Sequence, residues 1–500
     1  MQEIILASIL GLVVLRLLFH TAKKRREPLP PGPPKLPLLG NAHQTPKTHL
    51  WLKFAEWGKI YGDIIHLRLL GTDLIVLNSH KLASDLLDKR ASISSDRPVT
   101  EMYRICGYDD TFLLMPYGES FRTQRRYMAT EFSPQAVFRY HKHHENEARS
   151  LARNILRDPE SIWPELRVSF ARMIYLTTYG YRPETVEDHL LKTSISTVQS
   201  FVDLSKPGKY LVDLIPLLRY MPRWMPGTGF LHTADYYRNM RARALWGPYR
   251  WWKDHIDSPD LIRPNLCTGV FEKSGGKMSE EDEYHLASTA FIALSGGLDS
   301  IYSTVVTFFL NMLLHPEIQR KAQAEIDALT RQRRLPTVAD RPQLPYTRSV
   351  LTEVLRWAPP GPTGFPHFMR EDDIFNGYFI PKNSIVMANL WNIMRDPVVY
   401  PDPHTFNPER YGGDDNEMNK VNNAFGYGRR SCPGQYFAHS GIFAVISTVL
   451  ATCDILPFVD EAGNTQLPDV EYSGGFISAQ KPFTLRVKPR SAHLLEILGD

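Results

Sequence analysis

Four cysteines occur in 500 residues, and one of them sits where a sulfur could do chemistry. Cys106, Cys267, Cys432 and Cys453 are far apart and form no CxxC pair, so neither a zinc site nor a disulfide framework is expected. Cys432 closes the run Phe425-Gly426-Tyr427-Gly428-Arg429-Arg430-Ser431 and is followed by Pro433-Gly434. Gly428 permits a tight turn that presents the sulfur, and Gly434 lets backbone approach closely. A helix beginning after Cys432 would aim its N–H groups at the sulfur and favour the thiolate, the metal-binding form. Phe425 would shield it from water. The alternative for any lone cysteine is an inert buried thiol.

Two further groupings carry polar chemistry. Gly296-Gly297-Leu298-Asp299-Ser300 interrupts an apolar-periodic stretch. Paired glycines cost helix stability, so they ask for a reason, such as room for a small molecule. The adjacent acid and alcohol can organise water and deliver protons. In Glu353-Val354-Leu355-Arg356 the end residues, three apart, share one helix face and can pair, with Pro408-Glu409-Arg410-Tyr411 downstream. His141-Lys142-His143-His144 looks like a metal tract but lies on a polar helical stretch without matching cysteines.

The elements that must hold these groups are mostly helical. Ser279–Leu314 and Pro316–Thr330 carry helical periodicity, Asp63–Leu69 and Leu74–Leu77 are expected as strands around a Gly71-Thr72-Asp73 turn, and Phe375–Ala388 returns to strand and turn. The fold class is mainly α with a minor β-sheet. Composition, at 43% hydrophobic and 22% charged, suits one large core. A net charge of +4 is too small in total to imply nucleic-acid binding, although basic residues cluster locally, and no Gly-rich nucleotide loop occurs. Ile4–Ala22 is an apolar run followed by Lys23-Lys24-Arg25-Arg26, so residues 1–22 are expected to anchor the chain in a membrane with the body cytosolic. A basic and Pro-rich hinge, 23–34, would lead into a catalytic domain over 35–500.

Phe425 to Gly434 fits Phe-x-x-Gly-x-Arg-x-Cys-x-Gly, a match expected by chance at about 1 in 10⁴ in a chain this long. Here the sequence resembles the cytochrome P-450 family, and the likeness runs from anchor to C-terminus. It implies that fold, behind an N-terminal transmembrane helix. It also implies haem b with Cys432 as axial iron ligand, Phe425, Gly428 and Gly434 shaping the loop, and Arg430 on a propionate. Arg125, in Phe121-Arg122-Thr123-Gln124-Arg125, and His367 would also hold the haem, although Phe121 replaces the family's usual Trp. Asp299 and Ser300 would serve oxygen activation, with Ser for the usual Thr. Glu353, Arg356 and Arg410 would form a structural trio. An apolar pocket would take Phe291, Leu294, Leu298, Phe365, Phe476 and Ile477, with contacts from Thr100–Leu114, Pro207–Gly227, Pro359–Phe365 and Gly474–Ile477.

The likeness is to fungal microsomal members of secondary metabolism. The expected activity is therefore a monooxygenase using O2 on an apolar small molecule: a terpenoid, polyketide or aromatic alkaloid. Electrons would come from NADPH through cytochrome P-450 reductase at the endoplasmic reticulum membrane, where Arg122, Arg126 and Arg429 would face the partner. One alternative is a haem-thiolate isomerase, dehydratase or peroxide-using enzyme without a reductase, against which Asp299 and Ser300 argue. Another is a non-catalytic haem carrier or sensor.

Overall fold

The computed structural model describes residues 27–206, 208–412 and 417–499. The expected anchor, 1–22, and the basic residues 23–26 lie outside them.

The axis of the domain is the helix Glu280–Leu314. Its start is encoded locally: Ser279 accepts the Asp282 N–H at 3.1 Å, and Glu280, Glu281, Asp282 and Glu283 place negative charge at the positive end of the helix dipole. Pro316 opens the next helix, Pro316–Thr330, at a position where no N–H is needed. The long helix is apolar enough to cross a membrane, yet most of it is buried in the domain. Helices Glu119–Phe132, Ile162–Tyr179, Gly229–Asp254 and Gln435–Thr452 pack around it. It is a core helix.

The main sheet has the order β1 (Ile64–Leu69), β2 (Thr72–Leu77), β6 (Ile385–Ala388), β3 (His367–Phe368). The β1–β2 turn is Leu70-Gly71, both at positive φ (49° and 93°), whereas Thr72 and Asp73 pair in the ladder with Leu69 and Arg68. The expected turn was thus one residue late; the positive-φ requirement falls on Leu70 and Gly71 because that conformation matches the strand twist. β6 joins β2 in parallel and carries β3 on its far side, which fixes the position of His367. Strands β4 (Asp373–Phe375) and β5 (Tyr378–Ile380) meet at Asn376-Gly377, again both at positive φ.

The Pro-rich segment is seated on the body rather than hanging free. The His66 N–H donates to the Pro31 carbonyl at 2.9 Å and the Phe379 N–H to that of Pro28 at 2.8 Å. A Cβ at Gly32 would lie 2.1 Å from the His66 carbonyl oxygen, so only glycine fits there.

Candidate active site

The cysteine loop is built by close backbone approach. Gly428 has φ +57°, and a Cβ there would meet the Leu87 carbonyl oxygen at 2.2 Å. Its N–H donates to the Asp88 carboxylate at 2.5 Å, while the Cys432 N–H donates to the Phe425 carbonyl at 2.7 Å. These bonds close the loop and set Cys432 before the helix Gln435–Thr452. Burial raises the thiol pKa, opposed by the Gly434 N–H, which donates to the sulfur, and by the nearby Arg125. The protein alone therefore favours the thiol, and a metal cation at the sulfur is what would make the anion the stable form. Phe425 packs its ring 4.9 Å from that of His439 and walls one side.

Cys432, Pro433 and Gly434 line a cavity whose opposite wall is the long helix, through Ala293, Gly296, Gly297 and Ser300. Gly296 has open space where a Cβ would stand, whereas a Cβ at Gly297 would press on Ile174 at 2.6 Å. The first glycine leaves room and the second admits a neighbouring helix. Phe291, Phe365, Phe476 and Ile477 line the cavity, with Phe365 and Phe476 in edge contact at 4.0 Å. Leu294 and Leu298 do not: both are buried on the other face, since each lies about 200° around the helix from a cavity-facing glycine or serine. Tyr108, Phe112 and Leu113 represent the 100–114 loop, but the described part of 207–227 contributes no lining residue. That segment turns outward, with Leu217 and Trp224 76% and 81% exposed.

The cavity is lined by two arginines, Arg97 and Arg430, and by His367, but by no carboxylate among the described residues. Arg97 donates to the Phe365 and Pro366 carbonyls, both at 2.8 Å, and its buried Nε has no partner among the described residues. Arg430 donates to the carbonyls of Ser95, Phe112 and Met115 and lies 4.0 Å over the Phe121 ring. Burial pushes the Arg430 pKa down to about 10, and burial together with Arg430 pushes that of Arg97 well below its usual value. His367 donates Nδ1–H to the Ser94 carbonyl at 2.8 Å; burial, then Arg97, holds it neutral. Asp96 offsets Arg430 from outside the lining, but no described carboxylate faces the cavity, and buried cations there call for an anion. A planar group with a central metal and two carboxylates fits this lining: sulfur on one side, a glycine-thinned helix on the other, guanidinia at the edge. Haem meets that description.

Arg125 is placed differently from expectation. It does not line the cavity; its guanidinium donates to the Ser431 carbonyl at 2.8 Å and holds the loop behind the sulfur. Arg97 was missed from sequence because Asp96-Arg97-Pro98 looks like any surface turn. Only the fold shows it buried.

Asp299 faces away from the sulfur. It pairs with Arg167 at 3.2 Å in a neighbouring polar hollow, while Ser300 lines the main cavity and donates to the Gly296 carbonyl at 2.8 Å. The two adjacent residues thus straddle the helix, one toward solvent and one toward the cavity. Thr304, one turn on, also lines the cavity and donates to the Ser300 carbonyl.

Behind the site, Arg356 grips both oxygens of Glu353 at 2.7 and 2.8 Å. Arg410, the Asn407 N–H and the Tyr411 hydroxyl donate to the same carboxylate at 3.2, 2.8 and 3.0 Å. Remaining donors of Arg356 and Arg410 reach the carbonyls of Met394, Pro401, Pro403 and Thr405. The carboxylate therefore ties the Glu353 helix to the segment leading into the cysteine loop. At the histidine tract, His144 is turned into the core and bonds Ser440 at 2.9 Å, and among the described residues no group of three or more potential metal ligands is gathered.

The sequence profile of the cytochrome P-450 family matches residues 30–487. Cytochrome P-450 monooxygenase 45 of Postia placenta is 42% identical over 99% of this chain and 95% of its own length. The Ampulloclitocybe clavipes monooxygenase claR is 37% identical over 98% of this chain and 92% of its own. A zebra fish cytochrome P-450 solved with abiraterone shares the fold: TM-score 0.70, 22% identity, covering 88% of this chain and all of that one. With a thiol, a cationic lining and a glycine-thinned helix around one cavity, and likeness along nearly its whole length, this chain belongs to the cytochrome P-450 family and is one of its monooxygenases.

Proposed function

We propose that the chain oxidises an apolar terpenoid, polyketide or aromatic alkaloid in fungal secondary metabolism. Its electrons would come from NADPH through a flavoprotein reductase at the endoplasmic reticulum membrane. The observation that carries this is Cys432 facing Gly296 and Ser300 across a cavity walled by Phe291, Phe365, Phe476 and Ile477.

Haem bound at Cys432 supplies reductive activation of O2, with one oxygen atom going to substrate and the other, with two protons and two electrons, to water. The chain's own part is to hold, exclude and deliver. Arg97, Arg430 and His367 would bind the propionates, with His367 taking a proton to donate. Arg125 and the Gly434 N–H stabilise negative charge on the sulfur. The aromatic and aliphatic walls exclude bulk water and favour an apolar substrate by burial. Asp299, at the polar hollow, takes protons from solvent, and the Ser300 hydroxyl passes them to the cavity side. Exposed Arg122 and Arg429 flank the Tyr117 ring beside the cysteine loop and, with Arg126, give a basic face suited to an acidic reductase.

The test is a reduced, carbon-monoxide-bound spectrum of the holoprotein and of Cys432→Ala. The long-wavelength band of a thiolate ligand is expected in the first and not the second. Its absence from the wild type would overturn the reading. Microsomes with added reductase, supplied with NADPH and candidate apolar metabolites, then test the oxidation.

A further inference from the structure

A second hollow of about 590 Å³ lies beside the main cavity, between the helices His189–Leu204 and Gly229–Asp254, the long helix and the loop at 473–479. Val202 and Ile477 line both spaces, so two aliphatic side chains form their common wall. The chemistry on the two sides differs sharply. The main cavity is mostly aromatic and aliphatic, whereas this hollow presents the side chains of Ser196, Gln199, Tyr236, Tyr237 and Tyr302.

Its charges are already matched. Arg167 pairs with Asp299 at 3.2 Å and Lys206 with Asp203 at 3.0 Å, leaving two carboxylates and two cations. Asp203 also accepts from Lys209 and from the hydroxyls of Tyr210 and Tyr237, which ties the end of its helix to the following loop and to the helix Gly229–Asp254. A charged ligand would have to compete with those pairs. A neutral one would not, because the groups left over are hydroxyls and an amide. Among the described residues Ser196, Gln199 and Tyr236 have no hydrogen-bonding partner, and they stand half-buried or exposed in a hollow that opens to solvent.

We propose that this hollow binds the neutral, hydroxyl- or amide-bearing end of a two-part substrate whose apolar body lies in the cavity over Cys432. This rests on the monooxygenase reading and narrows it: the preferred substrate is not a bare hydrocarbon but one already carrying a polar group. The enzyme would then act after a step that installs oxygen, sugar or amide on the skeleton. The bound end is held by groups that would otherwise face water, and the body would reach the cavity by displacing the Val202 and Ile477 side chains, where the two spaces meet.

The experiment titrates full-length holoprotein with two probes sharing one skeleton, menthyl methyl ether and menthyl β-glucoside, and follows the haem spin-state change on binding. In the wild type the glucoside is expected to bind about tenfold more tightly than the ether, the worth of one or two neutral hydrogen bonds. In Ser196→Ala/Gln199→Leu the ratio of the two dissociation constants should fall to about one. Tyr236→Phe, at an exposed position, gives an intermediate ratio and serves if the double variant is unstable. A wild-type ratio of one or below overturns the proposal, as does a preference for the glucoside that survives both variants. The carbon-monoxide spectrum separates the two levels: a chain lacking the thiolate band fails as a haem-thiolate enzyme, whereas a chain with the band and no glucoside preference fails only here.

Discussion

Glu353 and Arg356 meet through two hydrogen bonds, 2.7 and 2.8 Å long, with neither side chain exposed to solvent. Removing one partner leaves the other charge buried and unpaired, a loss of about 3–5 kcal/mol. Glu353→Gln should therefore unfold at a markedly lower denaturant concentration, or fail to retain haem, with little effect traceable to the cavity itself. A variant as stable as the wild type would show that the carboxylate does not tie the loop down.

Two neighbouring glycines should respond unequally to the same change. At Gly428 an added methyl meets the Leu87 carbonyl at 2.2 Å, and the loop must move. At Gly426, φ +81° but nothing stands within 4 Å, so Gly426→Ala costs only backbone strain of about 1–2 kcal/mol. Haem content per folded protein, read from the carbon-monoxide spectrum, should collapse in Gly428→Ala and largely persist in Gly426→Ala.

Stability should fall as the solution is acidified. His144 and His439 are buried, and burial lowers each pKa from 6.5 to about 3. Above pH 6.5 both are neutral folded or unfolded, and their contribution is fully present. Between 6.5 and 3 the unfolded chain binds protons that the folded chain refuses, so stability drops by about 1.4 kcal/mol per pH unit for each histidine. Urea midpoints measured from pH 7 to pH 4.5 should show this slope, and His144→Leu should shrink it by one proton's worth.

Oxygen use should separate from product formation at the two residues that straddle the long helix. Asp299→Asn is expected to slow turnover at least tenfold, as loss of a positioned proton donor does. Ser300→Thr restricts the hydroxyl's rotamers and should raise the fraction of NADPH that ends in product. Parallel assays of NADPH, hydrogen peroxide and product decide it; unchanged coupling in both variants removes these residues from proton delivery.

Charge reversal on the face beside the cysteine loop should act on electron supply alone. Arg122→Glu/Arg429→Glu is expected to raise the KM for reductase several-fold, with the largest effect at low salt. Turnover driven by peroxide should not change. A wild-type enzyme indifferent to ionic strength would argue against an electrostatic docking face.

Much of the site was legible without coordinates because its residues obey local rules. A glycine-bearing loop around a cysteine, an apolar-periodic helix with paired glycines, and a Glu–Arg pair three residues apart are each set by neighbours in sequence. The turn at Leu70-Gly71 was misjudged by one residue because ladder pairing, not composition, decides which residues take positive φ.

What the chain order alone determined was the chemistry available: one thiol in a tight turn, an acid beside an alcohol, and a mainly helical frame to carry them. Tertiary structure decided which way each group faces. It buried Arg97 in the cavity lining and set Arg125 behind the loop, turned Leu294 and Leu298 into the core, and sent Asp299 and Ser300, about 100° apart on one helix, into two neighbouring spaces. Those outcomes depend on helix rotation and on contacts between segments hundreds of residues apart, such as Arg97 with Phe365 and Gly428 with Leu87. Sequence spacing fixes neither, because the rotation of a helix is set by what packs against it.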